Sequence, residues 1–175
     1  MNNTRPLVTG LFPDRTSAEA AYSAAEARGY TSNDMNMAMS DETRKTHFSG
    51  TTTGKETELG NKAAEGAGIG GAIGGAIGAI AAAVAAVGTT IALPGLGLVI
   101  AGPIAAAVAG AGAGGAGGSL IGALVGWNIP EERVKDYEEG MKNGGILMGL
   151  RTKDDADAEE LENAWKSNRG QHVYR

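Results

Sequence analysis

Cysteine is absent from the chain, and aromatic residues are scarce. Without cysteine the protein can form neither a disulfide nor a thiolate metal site. Aromatic residues make up 5% of the sequence, and Trp127 is the only one between residues 66 and 130. Side-chain volume is what fills a protein core. The middle of the chain, which is rich in glycine and alanine, is therefore not expected to form a bulky globular core.

Charged residues are also absent from residues 66–130, although the chain as a whole carries a net charge of −5. A protein with a negative net charge is a poor match for a phosphate backbone, so nucleic acid is not expected as a partner. The N-terminus lacks a long apolar core and a small-residue cleavage pattern, so no signal peptide is predicted. We therefore expect a cytoplasmic or membrane-associated protein with both termini on the cytoplasmic side, and not a secreted one.

Two rows of small residues with a spacing of four run through the charge-free stretch. This spacing marks one face of an α-helix, and small residues on that face let two helix backbones approach closely. The glycines predicted to pack helices or to mediate oligomerisation are Gly66, Gly70, Gly74, Gly78, Gly102, Gly110, Gly114, Gly118, Gly122 and Gly126. We interpret residues 62–127 as a glycine-zipper helical hairpin whose turn lies at Pro94 and Gly95, because both residues are turn formers.

Residues 1–40 have the pattern of a strand, a helix and a second strand. Leu7–Phe12 is a short apolar run between two prolines, typical of a buried strand. Thr16 as N-cap, with Glu19 three residues later, predicts a helix that starts with a capping box. A second strand is predicted from three methionines at alternate positions, which would share its core face. These are Met35, Met37 and Met39.

Residues 41–61 are polar and show no clear periodicity, so they are interpreted as a linker or a loosely ordered arm. Residues 128–175 then predict a helix, a strand and a helix. The first helix starts near Glu131, the strand covers residues 146–150, and Asp154 or Asp155 caps the last helix. The final four residues are interpreted as either a short edge strand or a frayed tail.

The two ends of the chain look like halves of one module, since each alone is too short to bury much apolar area. The predicted fold class is α+β. It is a small ferredoxin-like α/β sandwich, formed by residues 1–40 and 128–175 and split by the inserted glycine-zipper helical hairpin. A three-stranded sheet is expected, with open edges that could serve as templates for dimer pairing.

Short motifs in both halves resemble those of bacterial general stress (heat-induced stress) proteins. They are VTGLF at 8–12, DR at 14–15, GY at 29–30, GWNIP at 126–130, YEEG at 137–140, GGIL at 144–147 and DDA at 154–156. The resemblance covers nearly the whole chain except the linker. It implies a small α/β module joined to a glycine-zipper segment, a role in stress survival and no catalytic residues.

No catalytic, cofactor-binding or metal-binding residue is predicted. Residues 66–71 match GxGxxG in form, but no strand precedes them and no acid follows at the required distance. The glycines in residues 50–55 have one residue too few between them for a P-loop. His47 and His172 are expected to be exposed, and the acids in residues 154–160 lack the EF-hand register.

Three functional hypotheses follow. In the first, a non-enzymatic stress protein self-associates through its glycine-zipper helices at or in a membrane, so that its partners are other copies of itself and a lipid bilayer. In the second, the same helices build a soluble ring or filament without lipid. In the third, the α/β module is a small ligand-binding regulatory unit. No cofactor and no enzymatic activity are expected.

Overall fold

The fold described below is that of a computed structural model, which describes residues 5–48, 90–93, 98–102, 124 and 129–175. These residues form an α+β fold, which confirms the predicted class. In chain order the elements are β1 (Leu7–Phe12), α1 (Arg15–Glu26), β2 (Met35–Ser40), α2 (Asp41–Phe48), β3 (Thr90–Leu93), β4 (Leu98–Ala101), α3 (Glu131–Lys142), β5 (Ile146–Arg151), α4 (Asp155–Ser167) and β6 (Gln171–Tyr174).

The strands form one sheet of six, in the order β3-β4-β2-β5-β1-β6. Every neighbouring pair is antiparallel. Because β5 lies between β1 and β2, these two strands run parallel to each other without being neighbours. The expectation of a three-stranded sheet was therefore wrong: β3, β4 and β6 widen the sheet on both sides.

The sheet has a helical layer on each face. Alternate residues of a strand point to opposite faces, and β5 shows the division: Ile146 and Met148 belong to one buried cluster, and Leu147 to the other. The first cluster includes Ala21 of α1 and Trp165 of α4. The second includes residues of α3. Helices α1 and α4 therefore cover one face, and α3 covers the opposite face.

The first half of the module largely follows the sequence prediction. β1 spans the predicted residues, and the three methionines of β2 are all buried on the face under α1 and α4. The predicted capping box is wrong, because Asp14 is the N-cap and accepts a hydrogen bond of 2.8 Å from the Ser17 backbone N–H. The helix therefore begins before Thr16, and Glu19 pairs with Arg15 instead.

The second half also matches its prediction in type and order of elements. Helix α3 begins at Glu131, and it buries Val134, Tyr137 and Met141. Asp154 caps α4 by accepting a hydrogen bond of 2.8 Å from the Asp157 backbone N–H. The C-terminal residues form β6, which confirms the first of the two alternatives for this segment.

Two segments differ from the prediction. Residues Asp41–Phe48, assigned to a linker, form helix α2, whose first turn carries two acids. Acids at a helix N-terminus interact favourably with its dipole. These acids did not lead to a helix prediction, because the segment has no apolar stripe. Residues Thr90–Leu93 and Leu98–Ala101, assigned to the helical hairpin, are strands. They are rich in β-branched residues, and β4 gains a backbone ladder against β2.

Candidate functional site

The point where the charge-free stretch joins the sheet is the candidate functional site. β3 pairs with β4, and Thr90 lies directly opposite Ala101. The chain therefore enters β3 and leaves β4 at the same end of the sheet. Neighbouring strands are about 4.8 Å apart, so the segments that precede β3 and follow β4 start side by side.

Gly102 fixes the direction in which the chain leaves β4. Its φ of +110° is a conformation that favours glycine. A Cβ at this position would lie 2.9 Å from Asn36 Cα and would also overlap the Met35 carbonyl oxygen. Gly102 was predicted to lie on a helix face. Instead it lies in a bend, with its backbone pressed against the start of β2.

The end of α2 is anchored by the first residue of α1. The Arg15 guanidinium donates a hydrogen bond of 2.7 Å to the His47 carbonyl oxygen, and its Cζ lies 5.1 Å from the centroid of the Phe48 ring. Glu19 orients the guanidinium through a contact of 2.7 Å to Nε. Carbonyl groups at a helix C-terminus lack helical partners, and Arg15 satisfies one of them at the end of α2.

Leu124 is also part of the module. It is helical and fully buried, and its carbonyl oxygen accepts a hydrogen bond of 3.2 Å from the Ile129 backbone N–H. It belongs to the same buried cluster as Ile100 of β4 and Tyr137 of α3. Leu124 therefore lies on the face that α3 covers.

A buried polar network lies beneath α3 on the same face. The Tyr137 hydroxyl lies 2.9 Å from the Thr9 hydroxyl and donates a hydrogen bond of 2.9 Å to the His172 carbonyl oxygen. Burial raises the pKa of Tyr137 to about 12, although the hydrogen bond with Thr9 opposes the shift. The network joins α3 to β1 and β6, so it stabilises the sheet and provides no free group for chemistry.

This network predicts a measurable loss of stability in alkali. Because the pKa of Tyr137 is about 12 when folded and 10 when unfolded, its contribution is complete below pH 10 and is lost as the pH rises to 12. The loss amounts to about 2 to 3 kcal/mol. Urea unfolding across this range should show a shallower decline for Tyr137→Phe, from a lower starting stability. Parallel declines for the two proteins would contradict this assignment.

A second polar cluster joins the loop after α1 to the start of α4. Arg28 Nε lies 2.6 Å from Asp157 Oδ1, and the Tyr30 hydroxyl donates a hydrogen bond to the other oxygen of Asp157. Lys153 Nζ donates a bond of 2.9 Å to the Arg28 carbonyl oxygen. Burial opposes ionisation of Asp157, but the bonds from Tyr30 and Arg28 lower its pKa. These groups bond to one another, so the cluster joins the loop after α1 to the start of α4.

Within the part of the chain that the structure describes, no group of three or more acids and histidines could hold a metal ion. His47 and His172 are exposed, as predicted. An open depression of about 530 Å³ lies near the chain ends, and its lining includes Glu159 and Arg175, which pair with each other at 3.3 Å. None of these features has the convergent polar groups of a ligand site.

Most predicted packing residues lie outside the described part of the chain. This applies to Gly66, Gly70, Gly74, Gly78, Gly110, Gly114, Gly118, Gly122 and Gly126, and to the turn residues Pro94 and Gly95. The chain does reverse direction between Leu93 and Leu98, but it joins strands there and not helices. No helix among the described residues is both long and apolar enough to cross a bilayer.

Sequence reasoning missed Arg15 and assigned Gly102 to helix packing instead of to a bend. The contact of Arg15 with α2 carried no signal, because His47, whose carbonyl oxygen it binds, lies 32 residues away. The role of Gly102 had a weak signal. The rows of small residues stop before residue 87 and resume at 102, and the interval contains β-branched residues around a Pro-Gly pair. That combination is typical of a β-hairpin.

Comparisons with protein-family models, with curated proteins and with solved structures find no match to this chain. The resemblance to stress proteins therefore stays a prediction.

Proposed function

We propose that this chain is a non-enzymatic, stress-related structural protein that self-associates through the small-residue faces of residues 66–89 and 103–126. The observation that carries the proposal is the pairing of Thr90 with Ala101. It holds the adjoining ends of both segments next to each other on one sheet. In this proposal the α+β module positions the small-residue segments, and these segments make the contacts between copies.

We further propose that the module is ferredoxin-like. Strands β2, β5, β1 and β6 are neighbours in that order, and α1 and α4 cover the same face. Two β-α-β units interleaved in this way are the arrangement of a ferredoxin-like fold. The glycine-zipper segments then belong to an insertion between β2 and β5.

The energetics of glycine support self-association. Each glycine inside a helix costs about 1 kcal/mol relative to alanine. Ten of them would cost roughly 10 kcal/mol, which an isolated helix cannot offset. Close packing of helix backbones supplies compensating van der Waals contacts and weak Cα–H···O bonds. A second copy of the chain offers the same small-residue faces for such packing.

The anchoring geometry favours self-association over a membrane crossing. Residues 103–123 number 21, and a helix of this length would rise about 32 Å, close to the thickness of a bilayer core. A single crossing would place its two ends on opposite sides, yet Gly102 and Leu124 both belong to the module. A single crossing by residues 66–89 would likewise separate the residues on either side of it, yet Phe48 and Thr90 are both part of the module. A lipid surface remains a candidate partner in this proposal.

Leucine substitutions on the small-residue face test the proposal. Gly114→Leu and Gly118→Leu should each weaken assembly by about tenfold or more, because a branched side chain forces the two backbones apart. Ala116→Leu is the matched control, since it lies on the opposite side of the same predicted helix. Light scattering coupled to size exclusion in detergent-free buffer measures the assembly state.

The membrane question has its own measurement. Carbonate extraction of membranes from expressing cells should release the protein completely if no segment crosses the bilayer. Retention after extraction would contradict the proposed surface or soluble location. If the wild-type protein is a monomer in buffer and on vesicles alike, the self-association proposal fails.

A further inference from the structure

Helix α3 ends in a turn formed by an asparagine and two glycines. Asn143 is the C-cap, and Gly144 follows it with a φ of +92°. The Gly144 backbone N–H donates a hydrogen bond of 3.1 Å to the Met141 carbonyl oxygen. The Gly145 N–H donates one of 2.9 Å to the Gly140 carbonyl oxygen. These two bonds define a Schellman motif, and the Asn143 side chain at its cap is exposed.

Helix α4 ends in the same motif, again with an asparagine as the C-cap. Asn168 is followed by Arg169, whose φ is +65°. The Arg169 backbone N–H donates a hydrogen bond of 3.2 Å to the Lys166 carbonyl oxygen. The Gly170 N–H donates one of 2.9 Å to the Trp165 carbonyl oxygen. The two turns therefore share their backbone bonds and differ in the residue that follows the asparagine, which is glycine after α3 and arginine after α4.

An asparagine that precedes a glycine is chemically labile. The backbone nitrogen of the glycine attacks the asparagine Cγ, so that a new C–N bond forms and the side-chain nitrogen leaves as ammonia, taking the proton of the attacking nitrogen. The product is a cyclic succinimide, and water opens it at either carbonyl to give aspartate or isoaspartate. Glycine favours this attack, because it has no Cβ to hinder the approach and its backbone reaches conformations that other residues avoid.

We propose that Asn143 is a site of spontaneous deamidation through this succinimide, with water as the only other reactant. In the closed turn the Gly144 N–H is hydrogen-bonded to the helix end. The last turn of α3 therefore has to open locally before the nitrogen attacks, and helix ends are among the parts of a fold that open most readily. The inference is independent of the proposed self-association, since every reacting atom of the protein belongs to one chain.

Asn168 is protected in two ways that Asn143 is not. Arg169 carries a Cβ next to the nitrogen that would attack. The Asn168 side-chain nitrogen also donates a hydrogen bond of 2.9 Å to the Ala164 carbonyl oxygen, which holds the amide against α4. The chain thus contains a reactive asparagine and a matched unreactive one in equivalent turns.

Deamidation changes the turn that joins α3 to β5. A carboxylate at position 143 places a negative charge at the C-terminus of α3, where the helix dipole disfavours it. An isoaspartate also inserts a methylene group into the backbone, which disrupts the two hydrogen bonds of the motif. The turn has little room for this change, because a Cβ at Gly145 would lie 2.7 Å from the Gly140 carbonyl oxygen.

Peptide mapping by mass spectrometry tests the inference on the full chain, incubated in neutral buffer at physiological temperature. Asn143 should be converted several-fold faster than Asn168. Gly144→Arg gives α3 the end sequence of α4, and it should reduce conversion of Asn143 to the level of Asn168. The reciprocal variant, Arg169→Gly, should raise conversion of Asn168 several-fold. A wild-type circular dichroism spectrum establishes that each variant is folded.

Equal conversion of the two asparagines in the wild-type chain would overturn the inference. Conversion of Asn143 that is unchanged in Gly144→Arg would overturn it as well, and this comparison does not depend on the rate at Asn168. Urea at a concentration that unfolds the chain should accelerate the reaction at Asn143, because the turn no longer holds the Gly144 N–H. The same rate in folded and unfolded protein would show that the turn does not control the reaction.

Discussion

Replacing Gly102 by alanine should lower the free energy of unfolding by about 3 to 5 kcal/mol. Two causes add at this residue. A φ of +110° strains any residue with a side chain, and the new Cβ would overlap backbone atoms of Met35 and Asn36. Backbone atoms of β2 cannot move without disturbing the ladders on both sides of that strand. Urea unfolding monitored by circular dichroism measures the loss.

Gly144→Ala is the matched control for this substitution. Gly144 also has a positive φ, of +92°, but among the described residues the nearest atom to its Cβ position is Thr43 Oγ1, at 4.0 Å. Its replacement should therefore cost only the conformational strain, about 1 to 2 kcal/mol. Equal losses for the two variants would show that the close approach of Gly102 to β2 has no energetic weight.

Truncating Trp165 to alanine should cost about 3 to 5 kcal/mol. Trp165 is completely buried on the face covered by α1 and α4, where its ring meets Phe12 edge-on with centroids 5.5 Å apart. Its indole N–H donates a buried hydrogen bond of 3.1 Å to the Ala21 carbonyl oxygen. Alanine removes the aromatic volume and this bond, which links α4 to α1. Thermal unfolding compared with wild type measures the effect.

Two further variants complete this test. One separates the aromatic ring of Trp165 from its hydrogen bond, and the other is a surface control. Trp165→Phe should recover much of the stability, because it keeps an aromatic ring next to Phe12 and loses the hydrogen bond to Ala21. Lys166→Ala, the neighbour on α4, removes only an exposed ion pair with Glu162 and should cost less than about 1 kcal/mol. A Trp165→Ala protein as stable as Lys166→Ala would contradict the central place of Trp165 in the core.

Three contacts fix the module where it adjoins the glycine-rich residues. Arg15 holds the end of α2 through a hydrogen bond to the His47 carbonyl oxygen and a contact with the Phe48 ring. Gly102 is held by its close approach to β2, and Leu124 by burial under α3. Each attachment uses a different interaction, and those of Arg15 and Gly102 depend on residues far away in the sequence. The Gly102→Ala and Trp165→Ala experiments test the module, whereas the leucine variants test the proposed role of the segments.

Local patterns were sufficient to predict most of the module. The apolar run of β1, the alternating methionines of β2 and the stripe of Val134, Tyr137 and Met141 in α3 each carry the period of their element within a few residues. Asp154 was likewise predictable as a cap, since capping involves groups only three residues apart. These signals are short-range, and a sequence displays them directly.

The predictions failed where the deciding partner is distant. Glycine spacing predicted a helical hairpin across residues 62–127, but residues 90–93 and 98–101 are strands because β4 completes a ladder with β2, about 60 residues earlier in the chain. Gly102 illustrates the same limit. Its small size was visible in the sequence, but only the approach of Asn36 shows why it has to be small.

Composition and periodicity determine that this chain combines an α+β module with a charge-free, small-residue middle and carries no recognisable catalytic motif. The tertiary structure decides where that middle is attached. It places β3 and β4 in the sheet, with Thr90 opposite Ala101. The physical reason is that strand pairing and close backbone approach join residues far apart in the chain. Local sequence patterns do not indicate which distant residues will pair.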